Sequence, residues 1–201
     1  MSLIIVLITI GVSVYAFYHQ QVISRLSLRS YGVIEQKEYY RILTHGLVHA
    51  DWAHLLVNMY VLYMFGRLCE TYFSVFFSLS SSVLFVLFYL AALVFSGLFS
   101  VYKHRKQPGY SAIGASGVVM AVVFATIFFD PWNKLWFFGV IPIPGIVFGG
   151  LYLAYSFYMD KKNTDNIGHD AHLSGAIFGL LFPIILKPSL LSHFISQLLP
   201  G

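Results

Sequence analysis

A serine hydroxyl, an asparagine amide and two histidine rings stand inside long apolar stretches of this 201-residue chain. Such groups are expensive in hydrocarbon, which makes each a functional candidate. Ser116 lies in "YSAIGASGVVMAVVF" (110–124), His172 in "AHLSGAIFG" (171–179), and His54 and Asn58 in "AHLLVN" (53–58). Together they suit acyl transfer. A serine hydroxyl is a poor nucleophile until a base lies within about 2.6–3.2 Å, and His172 is the best-placed base. Attack on a carbonyl creates an oxyanion that needs donors already aimed at it. His54, Asn58 and the Ser116 backbone N–H can supply three. Residues four apart share a helix face, so His54 and Asn58 project together. Asp170 is two residues from His172 and points to the opposite face of a regular helix, so a Ser–His dyad is favoured over a triad.

The elements that must position these groups follow from composition. The chain is 58% hydrophobic and 10% charged, where a water-soluble domain carries about 25% charged residues. Lipid is therefore its expected solvent. Apolar runs measured against a span of about 20 residues give six candidates, roughly 3–19, 53–72, 76–99, 112–129, 136–158 and 168–186. The expected fold is all-α: a polytopic membrane protein, a six-transmembrane-helix bundle forming one domain over 1–201, with a structured first loop at about 20–52. The first span lacks a basic leader and a strong small-x-small cleavage site, so it is read as a retained helix. Pro142 and Pro144 interrupt the fifth span near its start.

A chain that crosses at every span enters its second, fourth and sixth helices from one side. His54, Asn58, Ser116 and His172 then lie at similar depth and share a water-accessible cavity. Gly175 and Gly179 form the small-residue packing motif of membrane helices. Gly117, Ala121 and Ala125 form a second small stripe, and Gly114 gives the serine room. Cys69 is the only cysteine, so no intrachain disulfide forms. The net charge of +4 needs no nucleic-acid partner; loop lysines and arginines near headgroups account for it.

At these residues the sequence resembles the rhomboid family of intramembrane serine proteases. "GASG" (114–117) resembles the family's nucleophile motif, "AHLSG" (171–175) its Ala-His-x-x-Gly, and "HADWAHLLVN" (49–58) its His-x-x-x-Asn segment. "FGRLCE" (65–70) is similar to the family's Gly-Arg-x-x-Glu helix end. "YYR" (39–41) is similar to its Trp-Arg pair, with Tyr40 for tryptophan. The likeness covers about residues 36 to 186. It implies catalysis by Ser116 and His172, an oxyanion site at His54 and Asn58, a six-helix core, and no metal or other cofactor. It also implies transmembrane protein substrates that enter from the lipid bilayer between the second and fifth helices and are cut where they unwind. Two positions depart from the pattern. Some relatives carry an aromatic four residues after the serine, where this chain has Met120, and the position before the asparagine, which can be bulky and gate entry, is Val57.

Taken singly these residues have plainer readings. Ser116 suits a packing serine, and His54 and Asn58 suit interhelical hydrogen bonds. Arg67 and Glu70 suit a helix-end ion pair or a loop cap, and His45 and His49 suit a brace for the first loop. Two rival functions stay open: a zinc-dependent membrane hydrolase using His45, His49, His54, His169 or His172, and a non-catalytic transporter or binder. Orientation is in conflict. Nine lysines and arginines flank the motif-bearing side and three the other, which by the positive-inside rule puts the site toward the cytoplasm. The family resemblance implies an inner-membrane protein with an extracytoplasmic site, and that expectation is followed here.

Overall fold

Apolar runs become helices here because a helix satisfies its own N–H and C=O groups where water is scarce. The computed structural model describes residues 1–137, 140–162 and 167–199. Its long helices are α1 (Ser2–Tyr18), α5 (Trp52–Phe76), α6 (Ser81–Lys103), α7 (Ser116–Phe129), α8 (Gly145–Lys162) and α9 (His169–Leu186). Short helices α2 (Gln20–Leu26), α3 (Ser30–Ile34) and α4 (Arg41–Thr44) fill the first loop, and α10 (Leu190–Leu198) follows α9. Strand β1 (Leu28–Arg29) pairs antiparallel with β2 (Ser111–Ala112), and β3 (Lys134–Phe137) with β4 (Ile141–Pro144).

The six long helices fall near the six expected spans. Among the described residues, two of them, α6 and α9, are long and apolar enough to cross a membrane; α1 and α7 are apolar but shorter. The fifth expected span, 136–158, is corrected. Helix α8 starts only at Gly145, because the "IPIP" run is extended and forms β4. Proline fixes φ and has no N–H to give, so it sits more easily in a two-stranded ribbon than in a helix. Residues 138 and 139 within that expected span, and 163–166 of the polar 159–167 stretch, lie outside the described residues.

Helix α7 is the axis. All its residues but Ser116 and Met120 are buried, as expected of a helix apolar all round. Its 14 residues reach only about 21 Å, against a hydrocarbon core of about 30 Å. Gly114 and Ala115, which lead into it, are also buried, so Ser116 starts the helix below the surface of the bundle. Helix α9 lies against α7 at backbone distance. A Cβ built on Gly175 would stand 2.0 Å from the Gly117 carbonyl oxygen, and one on Gly179 would stand 2.2 Å from that of Ala121. Helix α1 docks on α5 through a stripe of mostly small buried residues, Ser2, Val6, Thr9, Ser13 and Ala16. Toward the opposite end of the bundle aromatic rings fill the interior, with Phe73 edge-on to Phe77 and Phe88.

The first loop is built around Arg41, which is 2% exposed. Its guanidinium donates to the Ser24, Arg25 and Ser27 carbonyls at 3.0, 2.6 and 2.8 Å, and to Glu38 Oε2 at 2.6 Å. Glu70 does not pair with Arg67. It accepts the Ser2 N–H at 2.7 Å and ties α5 to α1, while Arg67 donates to the Tyr63 hydroxyl.

Gly175→Ala and Gly179→Ala should each lower the thermal unfolding midpoint, since overpacking typically costs about 1–3 kcal/mol. Gly11→Ala and Gly150→Ala, whose added Cβ meets nothing within 4 Å, should leave it unchanged or raise it slightly. Calorimetry of the detergent-solubilised variants checks the contrast.

Candidate active site

The turn that delivers Ser116 needs a glycine twice over. Gly114 has φ +109°, a left-handed conformation that side chains resist. A Cβ there would also stand 2.6 Å from His54 Cε1 and 2.7 Å from its Nε2. The His54 ring therefore lies directly on the turn that precedes the serine. Asp51 caps α5 by accepting the His54 N–H at 2.8 Å, which fixes where that helix begins.

Two donors of the turn are held from the first loop. Gly114 N–H reaches the His45 carbonyl at 2.9 Å, and Ala115 N–H reaches His49 Nε2 at 3.3 Å. The hydroxyl of Ser13 on α1 donates to the Leu47 carbonyl at 2.8 Å and lies 2.9 Å from His49 Nδ1. That hydroxyl has one proton, already given to Leu47, so Nδ1 must carry the hydrogen between it and His49. His49 is then neutral, and the lone pair on Nε2 accepts from Ala115. Burial, and secondarily the His54 ring, pushes His49 down to about 3, with Asp51 opposing. Burial likewise pushes His45 down to about 4, against its hydrogen bond to the Arg41 carbonyl. Both residues precede α5 and lie outside the spanning helices.

With the Gly114 and Ala115 N–H groups engaged, the first backbone donors without an acceptor inside α7 are those of Ser116, Gly117 and Val118; the ladder starts with Val119 N–H to the Ala115 carbonyl. Asn58 lies one turn along α5 from His54. Its amide turns back to donate to the His54 carbonyl at 2.8 Å, which uses one of its two N–H groups.

Ser116 and His172 begin neighbouring helices. A Cβ on Gly117 would meet the Ala171 carbonyl at 3.1 Å, so the backbones touch one residue from each side chain. Ser116 Oγ carries no hydrogen bond among the described residues. Asp170 faces away from the pair. It is 4% exposed and accepts from Ser100 Oγ at 2.7 Å, with His104 Nε2 at 3.4 Å. Val57 points outward, 63% exposed, and Met120 packs into the core between α7 and α8.

One group at the site escaped the sequence reading. The Tyr152 hydroxyl of α8 lies 2.8 Å from His172 Nδ1. The signal was present, since a tyrosine and a serine at 152 and 156 are polar groups one turn apart inside an apolar run. Ser13 likewise belongs to a stripe of small and polar residues on α1 that hydropathy alone does not single out.

Helices that turn large apolar side chains outward, such as Leu56, Leu87, Leu98, Leu151 and Ile185, and gather hydroxyl, imidazole and amide groups at one end, define a helical membrane protein with an internal polar site. The Rhomboid domain model matches residues 36–189, and the chain belongs to that family. It is 27% identical over 170 residues to "RHOMBOID-like protein 12, mitochondrial" of Arabidopsis thaliana, covering 79% of this chain and 50% of the relative. It is 28% identical over 156 residues to "Rhomboid protease GlpG" of Haemophilus influenzae, covering 75% and 71%. It is 30% identical over 147 residues to "Rhomboid protease GluP" of Bacillus subtilis, covering 73% and 26%. The chain thus spans about half the length of the Arabidopsis relative and about a quarter of the Bacillus one.

The two depressed histidines make stability depend on pH. Each binds a proton more readily when unfolded, near the ordinary value of 6.5, than when folded. Their contribution is whole above that value and is lost as pH falls toward about 4 and about 3, at about 1.4 kcal/mol per pH unit for each. The thermal midpoint should therefore drop between pH 6.5 and 4.5. His49→Gln, which cannot titrate, should show a shallower slope; an unchanged slope would refute the role given to His49.

Proposed function

We propose that this protein is an intramembrane serine endopeptidase that cleaves peptide bonds in or near transmembrane segments of other membrane proteins. The observation that carries this reading is the backbone contact of α7 and α9 at Gly117 and Ala171, each one residue from Ser116 and His172. Two of the relatives, those of Haemophilus influenzae and Bacillus subtilis, are named as rhomboid proteases, which supports it.

In the proposed mechanism the substrate carbonyl enters beside Ser116, and His172 Nε2 takes the Oγ proton as Oγ bonds to the carbonyl carbon. Resting catalytic hydrogen bonds are often loose and tighten on substrate binding. The oxyanion forms at the start of α7, where the Ser116 N–H has no partner within the helix and the helix dipole is positive. Asn58, with one free N–H, and His54, lying on Gly114, complete the set. Collapse breaks the C–N bond, His172 returns its proton to the departing amine, and water then hydrolyses the acyl-serine by the same route in reverse. Gly114, Gly117, Gly175 and Gly179 supply clearance. No metal or other cofactor is needed. The zinc alternative would require His49 to release Ala115 and turn its lone pair to a metal, and among the described residues no three His, Cys, Asp or Glu side chains converge.

The chain is read as one domain, with α1, α5, α6, α7, α8 and α9 as six spans in a cell (inner) membrane and the site on the extracytoplasmic side. The excess of basic residues on the site's side is partly spent within the protein: Arg41 is enclosed, Arg29 faces Glu38 at 3.9 Å, and Lys103 pairs with Asp160. Helix α8 packs chiefly on α9 and less on α7, which supports substrate entry between α5 and α8.

A fluorophosphonate probe should label the wild-type protein in detergent, and Ser116→Ala and His172→Ala should abolish labelling and cleavage. Asn58→Ala should slow cleavage about 100-fold or more, the usual loss for one oxyanion donor. Labelling that survives Ser116→Ala would overturn the reading.

A further inference from the structure

His172 needs its ring held in one orientation, and neither Asp170 nor the residue one turn after the serine is the group that does so among the described residues. Asp170, two residues before it in sequence, is engaged by Ser100 and His104. The position one turn after the serine carries Met120, which cannot stack as an aromatic would. The Tyr152 hydroxyl, supplied by a different helix, meets the ring 2.8 Å from Nδ1.

We propose that Tyr152 is a positioning residue for His172: it fixes the imidazole with Nδ1 protonated and Nε2 left to accept the proton of Ser116. This rests on the serine-protease reading above. For Nε2 to act as a base it must be unprotonated, so the ring hydrogen sits on Nδ1 and is donated to Tyr152 Oη. The phenol then needs an acceptor for its own proton. Ser156 lies four residues further along α8, on the same face, and is fully buried with no hydrogen bond of its own among the described residues. Its hydroxyl is placed to take that proton. The Tyr152 ring is steadied by Phe148 and Phe124, with centroids 5.5 and 6.3 Å away.

The timing of this contact matters for catalysis. When Ser116 attacks, His172 becomes an imidazolium and its bond to Tyr152 becomes charge-assisted, hence shorter and stronger. Tyr152 therefore stabilises the transition state more than the ground state. Its loss should lower kcat and leave KM nearly unaltered. Because Tyr152 sits on α8, the base is also tethered to the helix that flanks the entry route.

Tyr152→Phe keeps the ring and removes the oxygen. In the full-length protein, assayed in detergent on a transmembrane peptide reporter, it should lower kcat about 10–100-fold and leave KM within about threefold. The rate of Ser116 labelling by a fluorophosphonate should fall by a similar factor, with the thermal midpoint unchanged. Ser156→Ala should give a smaller fall in kcat, about 3–10-fold. Wild-type kcat and labelling rate in Tyr152→Phe, or a change confined to KM, would overturn the proposal while leaving the protease reading intact. A wild-type protein that neither labels nor cleaves would overturn both. Histidine-selective 15N NMR of the wild type gives a reading independent of the variant's folding: the His172 proton should reside on Nδ1, and a proton on Nε2 would overturn the assignment.

Discussion

The contact on which everything else depends is made by main chain, not side chains. Gly175 and Gly179 let α9 press on the Gly117 and Ala121 carbonyls of α7 so closely that not even a methyl group would fit between them. Between apolar helices in lipid there is no hydrophobic drive to associate, and close packing has to supply the attraction. Glycine makes that packing possible, and at the same time it brings the first turns of two helices together. Ser116 opens one of those helices and His172 lies in the opening turn of the other. Small residues at the head of α7 are what let the two backbones approach there.

The site is held from two sides by unlike means. On the serine side, the turn at Gly114 hangs from the first loop by the His45 carbonyl and the His49 ring, and His49 is in turn fixed by Ser13 on α1. Protonating His49 would set an N–H against the Ala115 N–H, so the neutral ring and the shape of the nucleophile turn require each other. On the histidine side, the ring is met by a phenol from α8. The amino-terminal helix and the fifth long helix thus both reach the candidate site, through Ser13 and Tyr152.

Much of this was legible in the residues themselves, and the boundary has physical causes. Hydropathy located the long helices because solvation in lipid is a local property of each run. The glycine spacing at 175 and 179 announced a close helix contact because only packing explains it. Grouping His54, Asn58, Ser116 and His172 at one end followed from counting crossings. The β1–β2 pairing was not legible, since its partners lie far apart in the chain; β3 and β4 are neighbours, but the two prolines of the "IPIP" run read as an interrupted helix and not as a strand. Tyr152 and Ser13 stand out in the sequence only as polar groups in apolar runs, and what they touch is visible only in the fold. Helix geometry turns Asp170 from the face of His172, but its partners, Ser100 and His104, could not be named from spacing.

The claim that binds these observations is that Ser116 and His172 meet in one pocket with oxyanion donors beside them. The most direct measurement is an experimental structure of the wild-type protein after reaction with a fluorophosphonate. The account predicts a covalent bond from Ser116 Oγ to phosphorus, His172 Nε2 within hydrogen-bond reach of that oxygen, and the phosphoryl oxygen facing the Ser116 N–H with Asn58 or His54 alongside. Phosphorus attached to another residue, or a His172 ring turned away from the adduct, would contradict it.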